Sequence, residues 1–224
     1  MKCYSQFIRC PKYRENETRF YCLNEFPQTI TVDSGLNDTN SGNYSFEWST
    51  SENTETIEVN AAGTYTVVVT NNGTGCEKTK TIIIEPSNIA TIENVEITDG
   101  SLNNNQITIL TSGEGNYLYA LIDSAGIQSA FQESNTFSQL QPGIYSILIR
   151  DIKNNCGITN DMVSLIGFPL YFTPNNDGKN DTWQVYGVSK NFQPNSEILI
   201  FDRYGKLIAQ ILASRSRLGW DIQW

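Results

Sequence analysis

The sequence predicts an all-β fold, with tandem β-sandwiches followed by a smaller, incomplete β domain. Three observations lead there. Short runs of alternating apolar and polar residues, rich in Val, Ile, Thr and Tyr, recur between Gly- and Asn-rich turns. No long apolar pattern of period 3.6 competes with them. A Gly-x-Tyr pattern followed by Cys occurs twice, at Gly63, Tyr65 and Cys76 and again at Gly143, Tyr145 and Cys156, with a shared offset of 80 residues.

Each element follows from its own residues. Thr29 to Val32 reads as a first strand. Tyr44 to Ser49 places Tyr44, Phe46 and Trp48 on one face, because side chains alternate along a strand. Thr56 to Val59 is short. Thr64 to Thr70 places Tyr65, Val67 and Val69 on one face, and Lys78 to Ile84 closes the unit before Glu85-Pro86. Residues 88–166 read as a second copy, with Ser146 to Arg150 matching Thr66 to Thr70. This spacing predicts immunoglobulin-like sandwiches. A tyrosine opening the penultimate strand of such a domain can return its hydroxyl to the backbone at the corner. Packing is nevertheless the expected role of these aromatics. Val67 and Ile147 stand where antibody domains carry the second cysteine, which excludes that inter-sheet disulfide. The expected boundaries are 1–21 for the remnant of a preceding segment, 22–86 and 87–166 for the two sandwiches, and 167–224 for the last domain.

Composition narrows the function. Of the 224 residues, 39% are hydrophobic, enough for packed cores, and 17% are charged. The net charge of -9 is uneven, at +3 over residues 1–21, -13 over 22–166 and +1 over 167–224. An acidic middle argues against nucleic acid, whose phosphates need clustered Lys and Arg. Histidine is absent, which removes the commonest general base and transition-metal ligand. Glu52, Glu55 and Glu58 are close in sequence but read as solvated, and no nucleophile has an evident base. No enzyme activity, cofactor or metal is expected. A stretch long and apolar enough to span a membrane is missing, and residues 1–21 lack the apolar core of a signal peptide. A partial gene is the simplest explanation of that missing leader.

Five cysteines are present, at 3, 10, 22, 76 and 156, so at least one is free or paired outside the chain. Cys22 precedes the first predicted strand and Cys76 the last of the first sandwich. A bridge between them would contribute about 3–4 kcal/mol by the chain-entropy account. Two reduced, buried thiols are the alternative. With no counterpart to Cys22 in the second sandwich, Cys156 is expected to be unbridged there.

The final segment changes character. It holds Phe172-Thr173-Pro174-Asn175-x-Asp177-Gly178-x-Asn180-Asp181-x-Trp183, then Phe201-Asp202-Arg203-Tyr204-Gly205, then Gly219-Trp220-Asp221. In this order the three blocks closely resemble the type B sorting domain of the type IX secretion system, also called the gliding-motility-associated C-terminal domain. The resemblance implies an address, not a reaction: export to the periplasm, recognition by the outer-membrane translocon, and release or retention at the cell surface. Adhesin-type repeats commonly precede such domains, so surface glycans or other cells are the implied targets. An exported hydrolase whose catalytic domain lies upstream is the alternative. A third reading, a carbohydrate-binding module, would use Trp48, Tyr117 and Tyr119 as a sugar platform.

The residues themselves agree with a small β domain. Pro174 to Gly178 is a dense turn signal, and residues 197–201 and 206–212 flank Asp202-Arg203-Tyr204-Gly205 as a hairpin. Set as an EF-hand loop, Thr173, Asn175, Asp177 and Gln184 fall at liganding positions, but two key carboxylates are missing, which favours a plain turn. Family members usually continue beyond Gly-Trp-Asp into closing strands, whereas this sequence ends Ile222-Gln223-Trp224. Those three residues and a stop are what a shifted frame of the family's continuation would encode. Truncation by a short deletion is therefore expected, leaving an unpaired sheet edge. Resequencing of the locus checks it.

Overall fold

A computed structural model describes residues 10, 16–37, 40–171, 173, 177, 183–212 and 220–222. The chain divides into two compact units. The first comprises residues 1–89, 113–116 and 151–157, and the second residues 90–112, 117–150 and 158–224.

Six strands build the first sandwich: β1 (Glu17–Cys22), β2 (Ile30–Asp33), β3 (Tyr44–Trp48), β4 (Thr56–Val59), β5 (Gly63–Asn71) and β6 (Glu77–Ser87). One sheet has the order β1-β6-β5-β3 and the other pairs β2 with β4. Strict alternation drives this arrangement. Phe46 and Trp48, Val67 and Val69, and Ile82 and Ile84 all turn inward against Val32, Ile57 and Val59. The intervening residues of β2 and β4 face water, where Thr31 donates to Glu58 Oε1 at 2.5 Å. That bond and Thr29 hold the Glu58 carboxyl below its usual pKa.

Two features depart from expectation, and a third goes beyond it. Residues 17–21 are expected in a preceding segment, yet they form all but the last residue of β1, an edge strand paired parallel to β6, with Glu17 opposite Ile82 and Cys22 opposite Ser87. The strand β6 also runs through Pro86. Its partner β5 ends opposite Ile84, so the missing proline N–H costs no ladder bond on that side. Finally, Lys80 points inward and is fully buried, with Nζ 3.4 Å from Glu17 Oε2 and donating to the Asp33 carbonyl at 3.4 Å. A buried ammonium needs such partners.

The expected Cys22–Cys76 bridge is not formed. Cys22 pairs with Cys156 and Cys10 with Cys76, at Cα separations of 5.5 and 5.3 Å. The parallel register explains why. Cys22 ends β1 level with Ser87, whereas Cys76 precedes β6 at its other end. A strand of 11 residues spans about 35 Å, far beyond disulfide reach. Because the strands run parallel, Cys10, on the N-terminal side of β1, lies toward the end where Cys76 stands. Cys156, expected to have no partner within the second sandwich, has none there; it sits in the 151–157 segment of the first unit and meets Cys22. Cys3 lies outside the described residues.

The second sandwich has β7 (Thr91–Thr98), β8 (Asn105–Ser112), β9 (Tyr117–Ile122), β10 (Thr136–Leu140), β11 (Gly143–Asp151) and β12 (Ile158–Leu165). Its sheets are β10-β8-β7 and β12-β11-β9. Ile107, Ile109, Leu121, Phe137, Ile147, Ile149, Val163 and Leu165 form the core. The last segment adds β13 (Trp183–Val185), β14 (Glu197–Phe201), β15 (Leu207–Leu212) and β16 (Trp220–Ile222), in two antiparallel pairs, β13 with β16 and β14 with β15.

Candidate functional site

Two kinds of feature carry the functional reading: the corners that define the sandwiches and the C-terminal blocks. Both corner tyrosines make the same bond. Tyr65 Oη donates to the Ala61 carbonyl at 2.9 Å and Tyr145 Oη to the Gln141 carbonyl at 2.8 Å, each four residues upstream. Burial raises both phenol pKa values, with the Asp123 charge adding to the effect at Tyr145. Each side chain therefore packs and also ties its corner. Trp48 is 2% exposed, and its indole N–H donates to the Thr54 carbonyl at 2.8 Å.

This burial overturns the sugar platform. Trp48 lies in the core of the first unit and Tyr119 in the core of the second, where its hydroxyl bonds Thr111 Oγ1 at 2.7 Å. Tyr117 packs against that second core. Neither core ring offers a face to a ligand. Glu52, Glu55 and Glu58 are exposed, as their solvated reading requires.

In the last segment, Gly167 and Tyr186 exchange backbone bonds, at 3.3 and 2.8 Å. Ser164 Oγ donates to the Gly187 carbonyl, and Gln193 Nε2 reaches Ser164 Oγ at 3.2 Å. Gly187 has φ +78°, and an added Cβ would stand 1.9 Å from the Leu165 carbonyl oxygen, so only glycine fits. Val185 is buried with Ile166, Trp183, Val188 and Ile198 around it.

Of the first block, Thr173 and Asp177 are exposed and Trp183 opens β13. The Trp183 indole N–H donates to the Pro169 carbonyl at 2.7 Å, and its ring lies 6.1 Å from that of Phe168. Phe172, Pro174, Asn175, Gly178, Asn180 and Asp181 lie outside the described residues, as does Gly219 of the third block. So does most of the loop weighed as an EF-hand. The antiparallel register sets Val185 opposite Trp220 and Gln184 opposite Asp221. Blocks one and three, far apart in sequence, thus share one strand pair.

The second block is the turn of the β14–β15 hairpin. Asp202 Oδ1 accepts the backbone N–H groups of Tyr204 at 2.8 Å and Lys206 at 2.9 Å. The Gly205 N–H donates to the Asp202 carbonyl at 3.0 Å, and Gly205 takes φ +82°. This is why Asp and Gly occupy those places. The Arg203 guanidinium lies 5.9 Å from the Tyr204 ring, which is 86% exposed. Phe201, Leu199 and Leu207 are also exposed, so the hairpin presents apolar side chains to solvent.

Sequence reading missed Asp151. It is fully buried in the first unit, and its carboxylate accepts bonds from the N–H groups of Asn116, Lys153, Asn154 and Cys156 and from the Ser87 hydroxyl. Burial pushes its carboxyl pKa up, but these bonds outweigh that and hold it below the usual value. The local signal was present in Asp151-Ile-Lys-Asn-Asn-Cys156, an Asp followed by turn-forming residues.

Among the described residues no helix is long and apolar enough to cross a membrane, and no group of three His, Cys, Asp or Glu side chains is gathered as a metal site requires. The fold and the blocks define an exported, all-β protein of immunoglobulin-like sandwiches with a terminal signal segment. Residues 166–221 match the family described as CHU_C Type IX secretion signal domain. The chain therefore carries a type IX secretion signal and is a protein of the cell surface or the secreted fraction. No curated protein matches it. Among solved structures it is similar to Drosophila OTK extracellular domains 3-5, at 16% identity and TM-score 0.45, over 70% of this chain and 61% of that one. It is also similar to the N-terminal four Ig domains of Dscam1 isoform 1.9, at 11% identity and TM-score 0.38, over 69% of this chain and 45% of that one. The chain thus spans less than two thirds of either structure. The sandwich assignment rests on strand order and the paired tyrosine corners.

Proposed function

We propose that this chain is the non-catalytic C-terminal part of an adhesin-like surface protein, whose last segment is read by the outer-membrane translocon of the type IX system. The secretion-signal match over residues 166–221 carries this reading. The β13–β16 pair and the capped β14–β15 turn support it, because they place the described residues of the sorting blocks on paired strands and a turn. Trp183, Asp202 and Gly205 maintain those features, and Arg203 and Tyr204 at the hairpin tip are available to the translocon. The sandwiches act as spacers and binding modules for glycans or neighbouring cells.

The test joins the whole chain to the C-terminus of an exported reporter in a bacterium with the type IX system. The reporter is expected at the surface or in the medium, and in the periplasm when the translocon is deleted. Replacing Arg203 and Tyr204 with Ala should leave the fold intact and retain the reporter in the periplasm. Surface display that persists without the translocon would overturn the proposal.

A further inference from the structure

We infer that the Cys22–Cys156 disulfide makes this chain a load-bearing tether in which tension bypasses strands β2 to β11. The bypass rests on the covalent connectivity, and its use under load rests on the proposed place of the chain at the cell surface. A protein held outside the cell at one point and gripped at another is pulled along its chain. Tension follows the shortest covalent path. That path runs from the N-terminal side through β1 to Cys22, crosses the sulfur–sulfur bond to Cys156, and leaves through β12. The bypassed loop has a sequence separation of 134 and contains ten strands. Those strands can unfold without lengthening the tether, so load acts directly only on β1 and β12.

The local structure around the bond is built to keep its two ends together. Asp151 fixes the 151–157 segment through four backbone N–H groups and the Ser87 hydroxyl, and one of those N–H groups belongs to Cys156 itself. Asn24, two residues after Cys22, donates to the Cys156 carbonyl at 3.3 Å and accepts the Ile89 N–H at 3.2 Å. Asn154 Nδ2 lies 3.3 Å from Cys22 Sγ. All of these groups belong to the first unit. Their bonds place the two sulfurs before oxidation and again after any reduction. The second bridge, Cys10–Cys76, closes a loop of separation 66 that starts upstream of Cys22 and reaches into the bypassed region, and it limits extension when the first bridge is open.

Single-molecule pulling on the full chain between terminal handles tests this. In the oxidised protein the span from Cys10 to Cys156 should contribute no unfolding extension beyond its short path. Adding a dithiol at constant force, which is oxidised as the four cysteines become thiols, should release about 450 Å at about 3.4 Å per residue. The C22S/C156S variant, with Cys10–Cys76 intact, should lengthen by about 230 Å more than the oxidised protein. If that variant does not fold, the dithiol jump of about 450 Å on the unmodified chain still tests the bypass from a folded start. No dithiol-dependent lengthening would overturn the inference. So would a release of about 180 Å, the value for a Cys22–Cys76 bridge.

Discussion

Asp151 shows how one buried charge can organise a turn. Its carboxylate accepts five hydrogen bonds, four of them from backbone. Truncation to Ala would leave those donors without an acceptor, and we expect a loss of about 3–5 kcal/mol in chemical denaturation. The same carboxyl gives a pH dependence. Its folded pKa lies below the unfolded value of about 3.9. Its stabilisation is therefore complete above that value and is lost as pH falls through the folded pKa. Denaturation midpoints measured from pH 6 downward should show this acid loss in the native chain and less of it in Asp151→Asn. The corner tyrosines offer a second comparison at this scale. Tyr145→Phe removes one hydrogen bond at a buried site and should cost about 1–1.5 kcal/mol, read from urea melts. Tyr65→Phe should cost less, since Tyr65 is only half-buried.

At the scale of elements, the sorting segment depends on two backbone devices. Gly187 packs against the Leu165 carbonyl with φ +78°. Gly187→Ala should cost about 3 kcal/mol or more, and should loosen Val185 and Trp183 together, because a Cβ there cannot be accommodated without moving backbone. Tryptophan fluorescence and limited proteolysis at the last segment would show it, with the first sandwich unchanged. The hairpin turn is more forgiving. Asp202→Ala loses two local bonds at an exposed site and should cost about 1 kcal/mol. Amide exchange at Tyr204 and Lys206 should accelerate while the sandwich strands keep their protection. The exposed Leu199, Phe201 and Leu207 gain no stability by facing water, which fits a hairpin that meets another surface.

For the whole molecule, the two bridges outweigh any single contact. Closing loops of separation 134 and 66 removes denatured-state entropy corresponding to about 4–5 kcal/mol for each bridge taken alone, by the chain-entropy account. Thermal melts with and without a reductant should therefore differ widely, and a chain kept reduced should be much less stable than the oxidised one. An unchanged melting temperature on full reduction would show that the bridges add little to what the two cores already supply.

The sequence by itself determined strands β2 to β6 and β11, the inward faces of β3 and β5, the residues of both tyrosine corners and the Asp–Gly hairpin. Each depends on residues within a few positions of one another, and alternation or turn chemistry records such local relations directly. The glycine at 187 and the lysine at 80 were visible as residues, but their roles were not, since each depends on a neighbour brought by another strand. Only the tertiary structure decided that residues 17–21 belong to the first sandwich and which cysteines meet. Both follow from the parallel register of β1 on β6, a long-range pairing that leaves no periodic mark in the chain. That one register sends Cys22 away from Cys76 and toward Cys156, through the geometry of strands about 3.3 Å per residue long in rise.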